Sequence, residues 1–351
     1  MIIGDFDLNK HVLIVAEIGN NHEGSCGRAA QMIELAAEAG AGAVKFQTFK
    51  TERFVRPSDH ARFTRLKSFE LSYSDFEKLA ETAARSGVLF LSTPLDIESA
   101  RFLDGLVPAF KIASGDNNFY PLIEAVADTA KPIVLSSGLA DVAQLLLSKD
   151  LIERSWRRKG IDPEIAVLHC VTSYPVPDGE ANLGAIRELR ESLGCTVGYS
   201  DHTTGIEAAT LSVALGARII EKHFTLDKNF SDFRDHQLSA DPAEMAQLVE
   251  RVKRVQTLLG TGRKELQDCE RNFSLVARRS IVARRDLSGG TLLSWDDIAW
   301  MRPADGLAPG DESLIIGKRL GYAVREGDPI TLEHLAPERE TRDEQTTVRT
   351  I

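Results

Sequence analysis

Short apolar runs alternate with longer stretches of helical periodicity along most of the chain. The apolar runs predict strands at Val12–Ala16, Ala43–Phe46, Val88–Leu91, Ala109–Ala113, Pro132–Leu135, Ile165–Val171, Thr196–Tyr199 and Arg218–Ile220. The periodic stretches predict helices at Gly27–Glu38, Asp75–Arg85, Ile97–Leu103, Pro121–Thr129, Asp141–Lys149, Leu183–Leu193, Ile206–Leu215 and Pro242–Leu259. Continuous apolar strands separated by helices are typical of a parallel sheet that is covered on both faces.

The number of strand–helix units favours closure of this sheet. Eight units make a (β/α)8 TIM barrel, in which catalytic side chains lie at the carboxyl ends of the strands. A doubly wound open sheet is the alternative, and it usually has a glycine-rich first turn. The sequence has no GxGxxG motif after the first strand and no GxxxxGK[ST] motif anywhere. We therefore expect an α/β fold built on a TIM barrel.

The pattern changes near Arg278, which indicates a second domain. Beyond that residue the apolar runs are short, are broken by Gly, Pro and Asp, and lack intervening helices, as in a small, mostly β domain. We expect a barrel at residues 1–262, a linker at 263–277, the β domain at 278–337 and a disordered polar tail at 338–351. Within the barrel, the polar segment Lys50–Ser74 is expected to be a functional loop, because long loops are uncommon in compact domains.

Composition and charge limit the classes of partner. The 351 residues carry a formal net charge of −10, which argues against nucleic acid or an anionic membrane as a partner. The four cysteines are scattered without a CxxC pair and are expected to be reduced thiols in the cytoplasm. The sequence shows no signal-peptide pattern and no apolar run long enough to span a membrane. We expect a cytoplasmic protein that acts on a small molecule.

Polar side chains at the predicted strand ends indicate the chemistry of a site. Lys45 and Lys111 each lie inside an apolar strand, where lysine is seldom buried without a partner. They are accompanied at the strand ends by Glu17, Gln47, Thr93, Ser114, Asp116, Ser136, Thr172, Tyr174, Ser200 and Glu221. Two lysines and several hydroxyl groups at one barrel mouth favour a site for a phosphorylated anion. For each residue taken alone, a solvated rim charge or ordinary turn chemistry is the alternative.

Two histidines follow adjacent predicted strands. His202 and His223 are placed to share one divalent metal ion, and imidazole with oxygen ligands suits Mn²⁺, Fe²⁺ or Zn²⁺. A hydrogen-bonded structural pair is the alternative. Candidates for a third ligand are His22, His169 and His236, although His169 lies within an apolar strand and is expected to pack there.

A series of short motifs runs along the chain in a fixed order. They are AEIGNNHEG (16–24), VKFQTF (44–49), STP (92–94), FKIASGD (110–116), LHCVTSYP (168–175), GYSDHT (198–203) and EKHFTLD (221–227). Together these motifs resemble the sialic acid synthase family. RRSIVARRDLSGG (278–290) and MRP (301–303) are similar to that family's C-terminal antifreeze-like SAF domain. The resemblance covers nearly the whole chain.

The resemblance implies a carbon–carbon bond-forming reaction. The family condenses phosphoenolpyruvate and water with an N-acyl hexosamine aldehyde, such as N-acetylmannosamine or a diacetamido relative, and releases phosphate and a nonulosonic acid. It implies N-acetylneuraminate synthase activity, with legionaminate or pseudaminate synthase on the same scaffold as the alternative. It also implies a homodimer in which the small domain reaches over the partner's barrel. A metal-independent Schiff-base pyruvate aldolase and a non-catalytic binding protein are the rival interpretations.

The resemblance also implies roles for individual residues. His202 and His223 are implied to bind Mn²⁺ or Mg²⁺. Phosphoenolpyruvate is implied to be held by Lys45, Thr93, Lys111, Ser114, Ser136, Thr172 and Ser200. Glu17 and Asp116 are implied as catalytic carboxylates, with Asp116 on the sugar side. Contacts with the sugar are implied for Gln47, Tyr174, Asp235 and, from the partner chain, Arg302.

Three departures from the family pattern lie on the sugar side. Asp116 stands where the family usually has Glu in an SGE motif. Phe233-Arg234-Asp235-His236 replaces the usual Pro-Gly before Asp, and Ala304 replaces the common Gly. The use of phosphoenolpyruvate is therefore a firmer expectation than the identity of the sugar.

Overall fold

The computed structural model describes residues 1–337. The chain divides into two compact units, Met1–Thr261 and a second unit that begins at Gly262. The expected disordered tail at 338–351 lies outside the described residues. Within the described part of the chain, no helix has the length and apolar character needed to cross a membrane.

Eight parallel strands close into a barrel in the first unit, which confirms the predicted TIM barrel. The barrel strands are β3 (Leu13–Gly19), β4 (Ala43–Thr48), β5 (Leu89–Pro94), β6 (Phe110–Ile112), β7 (Ile133–Ser136), β8 (Ile165–Cys170), β9 (Thr196–Asp201) and β10 (Ile219–His223). Neighbours in sequence pair in order, and β10 pairs with β3 to complete the ring. A short antiparallel hairpin, β1 (Ile2–Ile3) and β2 (Phe6–Asp7), precedes the barrel and was not predicted.

Helices connect the strands and cover the outside of the barrel. They are α1 (Cys26–Glu38), α2 (Thr51–Phe54), α3 (His60–Phe69), α4 (Tyr73–Arg85), α5 (Ile97–Leu103), α6 (Tyr120–Ala127), α7 (Val142–Lys159), α8 (Ala185–Leu193), α9 (Glu207–Ala214), α10 (Asp235–Leu238) and α11 (Pro242–Leu259). Capping residues explain several of the boundaries. Ser72 and Asp75 form a capping box at the start of α4, and Gly160 ends α7 in the left-handed conformation.

Some helices differ from the sequence expectation. The segment Lys50–Ser74, expected to be a loop, contains the helices α2 and α3. The α3 helix has no fully buried residue, so its sequence lacks the apolar stripe that identifies a core-facing helix. The helix predicted at Asp141–Lys149 continues to Lys159, because its second half contributes the buried residues Ile152 and Trp156.

Side chains along each barrel strand alternate between two apolar layers. One layer packs between the strands and the surrounding helices. The other fills the barrel interior, and its members are Leu13, Val15, Ala43, Leu91, Val134, Ala166, Leu168 and Ile219 of the strands, together with Ala109 directly before β6. Because alternate residues of a strand share a face, the next interior positions towards the carboxyl ends are Glu17, Lys45, Thr93, Lys111, Ser136, Cys170 and Glu221. The apolar interior therefore ends in a charged layer at the barrel mouth.

The second unit has its own small core. The strands β11 (Ser280–Ala283) and β12 (Ile298–Met301) pair antiparallel, and the core includes Ile281, Leu293 and Ile330. The residues 263–277, expected to be a plain linker, include the helix α12 (Arg271–Ala277). Both parts of the predicted architecture are thus present, a TIM barrel and a small β unit that follows it.

Candidate active site

A cavity of about 480 Å³ opens at the carboxyl ends of the barrel strands. Most of the residues predicted from the sequence line this cavity: Glu17, Lys45, Gln47, Thr93, Lys111, Ser114, Asp116, Ser136, Thr172, Tyr174, Ser200, His202 and His223. They come from eight strands or the loops that follow them, so the closure of the barrel is what brings them together.

Two lysines and two glutamates form a buried charge network on the floor of the cavity. Lys45 Nζ lies 2.7 Å from Glu17 Oε2 and 3.6 Å from Glu221 Oε2. Lys111 Nζ lies 3.3 Å from Glu221 Oε1, and the Ser200 hydroxyl donates to the same oxygen at 2.8 Å. All four side chains are at most 7% exposed, so each charge depends on the others for compensation.

Burial and the opposing charges together set the protonation of this network. Burial opposes the charge on Lys45, but the Glu17 and Glu221 carboxylates outweigh it and raise the pKa of Lys45. Burial also opposes the charge on Glu221, but Lys111 and Lys45 outweigh it and hold the pKa of Glu221 at about 2. Burial lowers the pKa of Lys111 and raises the pKa of Glu17. Glu221 is therefore the fixed negative charge around which the two lysines are arranged.

Hydroxyl groups line the cavity together with the two lysines. Lys45 Nζ donates to Thr93 Oγ1 at 3.2 Å. Ser114 and Thr172 approach each other across Gly138, where an added Cβ would overlap Thr172 Oγ1 and lie 2.6 Å from Ser114 Oγ. Gly138 thus lets two hydroxyl-bearing loops come close together in the cavity. This combination of ammonium and hydroxyl donors suits a tetrahedral anion such as a phosphate group.

The two histidines lie side by side at the same mouth. The ring centroids of His202 and His223 are 5.3 Å apart. His202 Nδ1 lies 2.9 Å from the Val171 carbonyl oxygen, which leaves Nε2 for another partner. His223 Nδ1 is buried and has no hydrogen-bond partner, and burial, followed by the nearby His202 and Lys45, holds the pKa of His223 well below its usual range. A neutral imidazole with an unpaired buried nitrogen fits a metal ligand.

The pair is not part of a larger cluster of metal-ligating side chains. Among residues 1–337, no group of three or more His, Cys, Asp or Glu side chains is positioned to hold a metal ion. Of the candidates for a third ligand, His22 bonds with the Gly24 amide, His169 with the Ala181 carbonyl, and His236 with Thr225 and Glu23. None of these three histidines lines the cavity. A metal held by the pair would therefore take its other ligands from substrate or water.

Several of the residues assigned to the sugar side form another part of the cavity wall. Tyr174 stacks on His202 with ring centroids 4.2 Å apart, and the guanidinium group of Arg234 lies 4.6 Å above the Tyr174 ring. Gln47 donates to Glu17 Oε1 at 3.3 Å and so links this wall to the charge network. Burial raises the pKa of Asp116 to about 6, which is high for a carboxyl group.

Two predicted site residues do not line the cavity. Asp235 is buried in α10, next to the cavity-lining Arg234, with Arg234 Nε 3.5 Å from its carboxylate. Arg302 is an exposed residue of the second unit, directly after β12. Their proposed contacts with a sugar remain predictions.

The structure adds several cavity residues to which the sequence assigned no role. Glu221 was noticed at a strand end without a function, yet its carboxylate contacts both lysines and Ser200. Phe54 and Arg62, from α2 and α3, line the cavity together with Cys170. An acidic residue inside the apolar strand β10 was the available signal for Glu221. The two helix residues had no such signal, because their segment was expected to be a loop.

Comparisons with known proteins find family models, curated relatives and solved structures that match this chain. The model of the NeuB family matches residues 32–264, and the model of the SAF domain matches residues 278–336. N,N'-diacetyllegionaminic acid synthase of Legionella pneumophila is 37% identical, over 92% of this chain and 94% of the relative. Pseudaminic acid synthase of Campylobacter jejuni is 32% identical, over 94% of this chain and 98% of the relative. The crystal structure of sialic acid synthetase from Leptospira borgpetersenii has a TM-score of 0.73 at 36% identity, covering 78% of this chain and 94% of that chain.

Proposed function

The chain belongs to the NeuB family of carbon–carbon bond-forming sugar synthases, and from this premise we propose that it is a nonulosonic acid synthase. The proposed reaction joins phosphoenolpyruvate, water and an N-acyl hexosamine aldehyde to give N-acetylneuraminate, or a related sialic acid, and phosphate. The observation that carries this proposal is the buried network of Lys45, Lys111, Glu17 and Glu221 beside His202 and His223.

Phosphoenolpyruvate fits the charge and the donors at the floor of the cavity. Its phosphate and carboxylate carry negative charge that Lys45 and Lys111 are placed to receive, with hydroxyl donors from Thr93, Ser136 and the unpaired Thr172. Without substrate, Glu221 and Glu17 supply the opposing charge. The site is thus preorganised, since the lysines are already held in place before the anion arrives.

The reaction needs a carboxylate at the position of Glu17. The C3 carbon of the enol attacks the aldehyde carbon and forms a carbon–carbon bond, which leaves the C2 carbon electron-poor and the aldehyde oxygen negative. Water then adds to C2, and one of its protons passes to the aldehyde oxygen, which becomes a hydroxyl group. The bond from C2 to the phosphate oxygen breaks, C2 becomes a ketone carbon, and the second proton leaves with the phosphate. Glu17, with its pKa raised by burial, is suited to orient that water and accept its proton.

We propose that His202 and His223 hold Mn²⁺ or Mg²⁺. When bound there, the metal supplies a Lewis acid that stabilises the negative charge on the aldehyde oxygen. The unpaired Nδ1 of His223 and the fixed orientation of His202 support this assignment. Asp116, Gln47 and Tyr174 are proposed to position the sugar, and orientation of the two substrates contributes part of the rate enhancement.

We propose the class of the sugar acceptor, an N-acyl hexosamine, and not one particular sugar. N-acetylmannosamine and its diacetamido relatives both satisfy the reaction, and the named relatives include synthases for legionaminic and pseudaminic acids. Arg234 and Asp116 stand on the wall where the family pattern changes, so these side chains are proposed to select among the acceptors.

We also propose a domain-swapped homodimer that places Arg302 at the partner's mouth. The helix α12 supports an additional contact surface, because Phe273, Leu275 and Val276 are 70%, 62% and 62% exposed. A cytoplasmic location is proposed from the four free cysteines, of which Cys170 lies in the cavity.

The first test measures phosphate release from phosphoenolpyruvate with purified full-length protein. Each member of a panel of N-acetylmannosamine and diacetamido hexoses is added with Mn²⁺ or Mg²⁺, and each reaction is repeated with EDTA and then with excess metal restored. Release that requires one acceptor, stops with EDTA and returns with metal supports the proposal. Release without any acceptor, or equal release in EDTA, contradicts it.

The same purified protein distinguishes the proposed synthase from the rival Schiff-base aldolase. A Schiff-base enzyme would use a lysine such as Lys111, whose pKa is lowered by burial, and borohydride would trap pyruvate on it. The proposed synthase gives no trapped adduct. We expect His202→Ala and Glu17→Gln to abolish turnover while inorganic phosphate still stabilises both variants through the lysines.

A further inference from the structure

A second cavity lies at the amino-terminal end of the barrel. It has a volume of about 810 Å³ and is lined by the start of β9, the segment from α9 to β10 and the end of α11. Thr196 at the start of β9 lines this cavity, whereas Ser200 near the end of the same strand lines the mouth. At about 3.3 Å per residue, a six-residue strand separates its two ends by about 16 Å. We name this space the amino-end cavity.

The charge of the amino-end cavity is unusual for this chain. Its charged lining residues are Lys10, Arg187, Arg190 and Arg218, and no Asp or Glu lines it. The chain as a whole carries a formal net charge of −10, so a lining with four cationic side chains and no carboxylate differs from the acidic background.

The three arginines of this cavity are also not engaged by carboxylates. Within residues 1–337, Arg187, Arg190 and Arg218 make no ion pair, while Lys10 pairs with Asp7. Arg154 and Arg157 of α7, which do not line this cavity, are paired instead, since both contact Asp150. The guanidinium groups of the amino-end cavity therefore retain donors for an external anion.

One of these arginines lies against the loop between α9 and β10. A Cβ added to Gly216 would lie 2.9 Å from Arg190 Nη1, which places this guanidinium group at the edge of the cavity. Gly216 has a φ of +105°, a conformation that favours glycine. The lining also includes the apolar residues Val213, Leu215 and Leu259.

We propose that the amino-end cavity binds the phosphate group of a small molecule, either inorganic phosphate or a phosphate monoester. Arginine presents a planar set of donors that matches two phosphate oxygens, and three such groups surround the space. The volume admits an organic group attached to the phosphate, and the apolar residues of the lining offer that group contacts. This inference does not depend on the proposed reaction at the mouth.

The test uses isothermal titration calorimetry with inorganic phosphate, adenosine 5'-monophosphate and adenosine as probes. The full-length chain carries Lys111→Met, which weakens anion binding at the mouth, and is compared with the same chain carrying Arg187→Gln and Arg190→Gln. The matched control replaces Arg154 and Arg157 by Gln. All four arginines are exposed, and thermal unfolding checks that every variant is folded.

The proposal predicts one phosphate-dependent binding event per chain in the Lys111→Met protein and in the control. Loss of two arginines is expected to weaken the affinity for phosphate by at least about tenfold, because each hydrogen bond between charged partners contributes about a factor of ten in affinity. Tighter binding of the nucleotide than of phosphate assigns a monoester, and equal binding assigns inorganic phosphate. Absence of binding, binding of adenosine alone, or an unchanged affinity after Arg187→Gln and Arg190→Gln overturns the proposal.

Discussion

Four buried ionisable side chains at the barrel mouth are costly unless their charges balance. Lys45 contacts both Glu17 and Glu221, and Lys111 contacts Glu221, so two positive charges face two acidic groups. Removing one member leaves another charge buried without a partner, which is usually strongly destabilising. An arriving phosphate brings the same sign of charge as the glutamates and can take over part of their role.

Replacement of Glu221 by Gln tests this balance directly. We expect Glu221→Gln to destabilise the ligand-free protein by on the order of 3 kcal/mol, because both lysines lose their shared carboxylate. Inorganic phosphate should then raise the unfolding temperature more in the variant than in the parent protein, since the anion replaces the missing charge. Thermal unfolding across a phosphate titration measures both effects.

The control for this substitution is an exposed ion pair. Glu98 contacts Arg53 at the surface, where both side chains are about half exposed, and such pairs contribute little to stability. Glu98→Gln should leave the unfolding temperature and its response to phosphate unchanged. An equal phosphate response in Glu221→Gln and the parent protein would show that the lysines do not receive the anion.

Asp116 predicts a dependence of stability on pH. Burial raises its pKa from the ordinary value of 3.8 to about 6, so between these values the folded chain holds a proton that the unfolded chain has released. The contribution of Asp116 to stability therefore decreases as pH rises from about 4 to 6. Above pH 6, Asp116→Asn should raise the unfolding temperature, because it removes the unfavourable free energy of burying a charged carboxylate. The rise should be roughly 2–4 °C for each kcal/mol removed, and near pH 4 there should be no rise.

A pH series of thermal unfolding curves for the two proteins measures this difference. Asp128→Asn is the comparison, because the Lys159 side chain lowers the pKa of the exposed Asp128 instead. Its stability change should have the opposite sign or be negligible over the same range. A gain from Asp116→Asn that is constant from pH 4 to 7 contradicts a raised pKa.

At the scale of elements, strand composition was sufficient to predict the barrel. Eight continuous apolar runs separated by helices are confirmed as strands β3 to β10, and Ile97–Leu103 and Pro242–Leu259 have the predicted bounds. The position of the mouth follows from the same pattern. Once the parallel sheet closes, the polar residues at the carboxyl ends of the strands all lie at the same end of the barrel. The roles of the individual mouth residues stay predictions.

The elements missed by the sequence have a common physical cause. The helices α2 and α3 replace an expected loop, and α3 has no buried residue, so hydrophobic periodicity gave no signal for it. The network around Glu221 depends on partners from β4, β6 and β9, and such long-range pairing is invisible in one strand taken alone. The local pattern of apolar residues predicts core-facing helices and strands. Contacts between distant parts of the chain determine the helices α2 and α3 and the network around Glu221.

Gly198 offers a test of strand packing inside the barrel. A Cβ added to this residue of β9 would overlap the carbonyl oxygen of Ile219 and lie 2.5 Å from Leu168 Cδ2. Since a strand carbonyl has little room to move, we expect Gly198→Ala to destabilise the protein by about 1–3 kcal/mol. Urea unfolding measures the change. Gly105→Ala is the control, because no heavy atom lies within 4 Å of its added Cβ and its effect should stay within about 0.5 kcal/mol.

At the scale of the whole molecule, the small unit has apolar side chains that no other residue between 1 and 337 fully covers. The helix α12 exposes Phe273, Leu275 and Val276, although a seven-residue helix is too short to be stable without packing. Arg302, proposed to contact the sugar, also lies in this unit. Both features are explained if a second copy of the chain packs against the first and the two exchange their small units.

Complementation between two inactive variants tests that arrangement. One chain carries Lys111→Met and the other carries Arg302→Ala, and the two are co-expressed with different tags so that mixed dimers can be isolated. In a swapped dimer, one site combines the intact barrel of the second chain with the intact small unit of the first. An unswapped dimer never brings these together.

The swapped arrangement therefore predicts that two chains, each with little activity alone, regain activity when paired. One intact site in each mixed dimer should give about half of the parental turnover per dimer, because a two-fold dimer has two equivalent sites. The assay is phosphate release with the acceptor that supports turnover in the parent protein. Dimers of either variant alone are the controls, and mixed dimers no more active than their average would place Arg302 at its own barrel or outside the reaction.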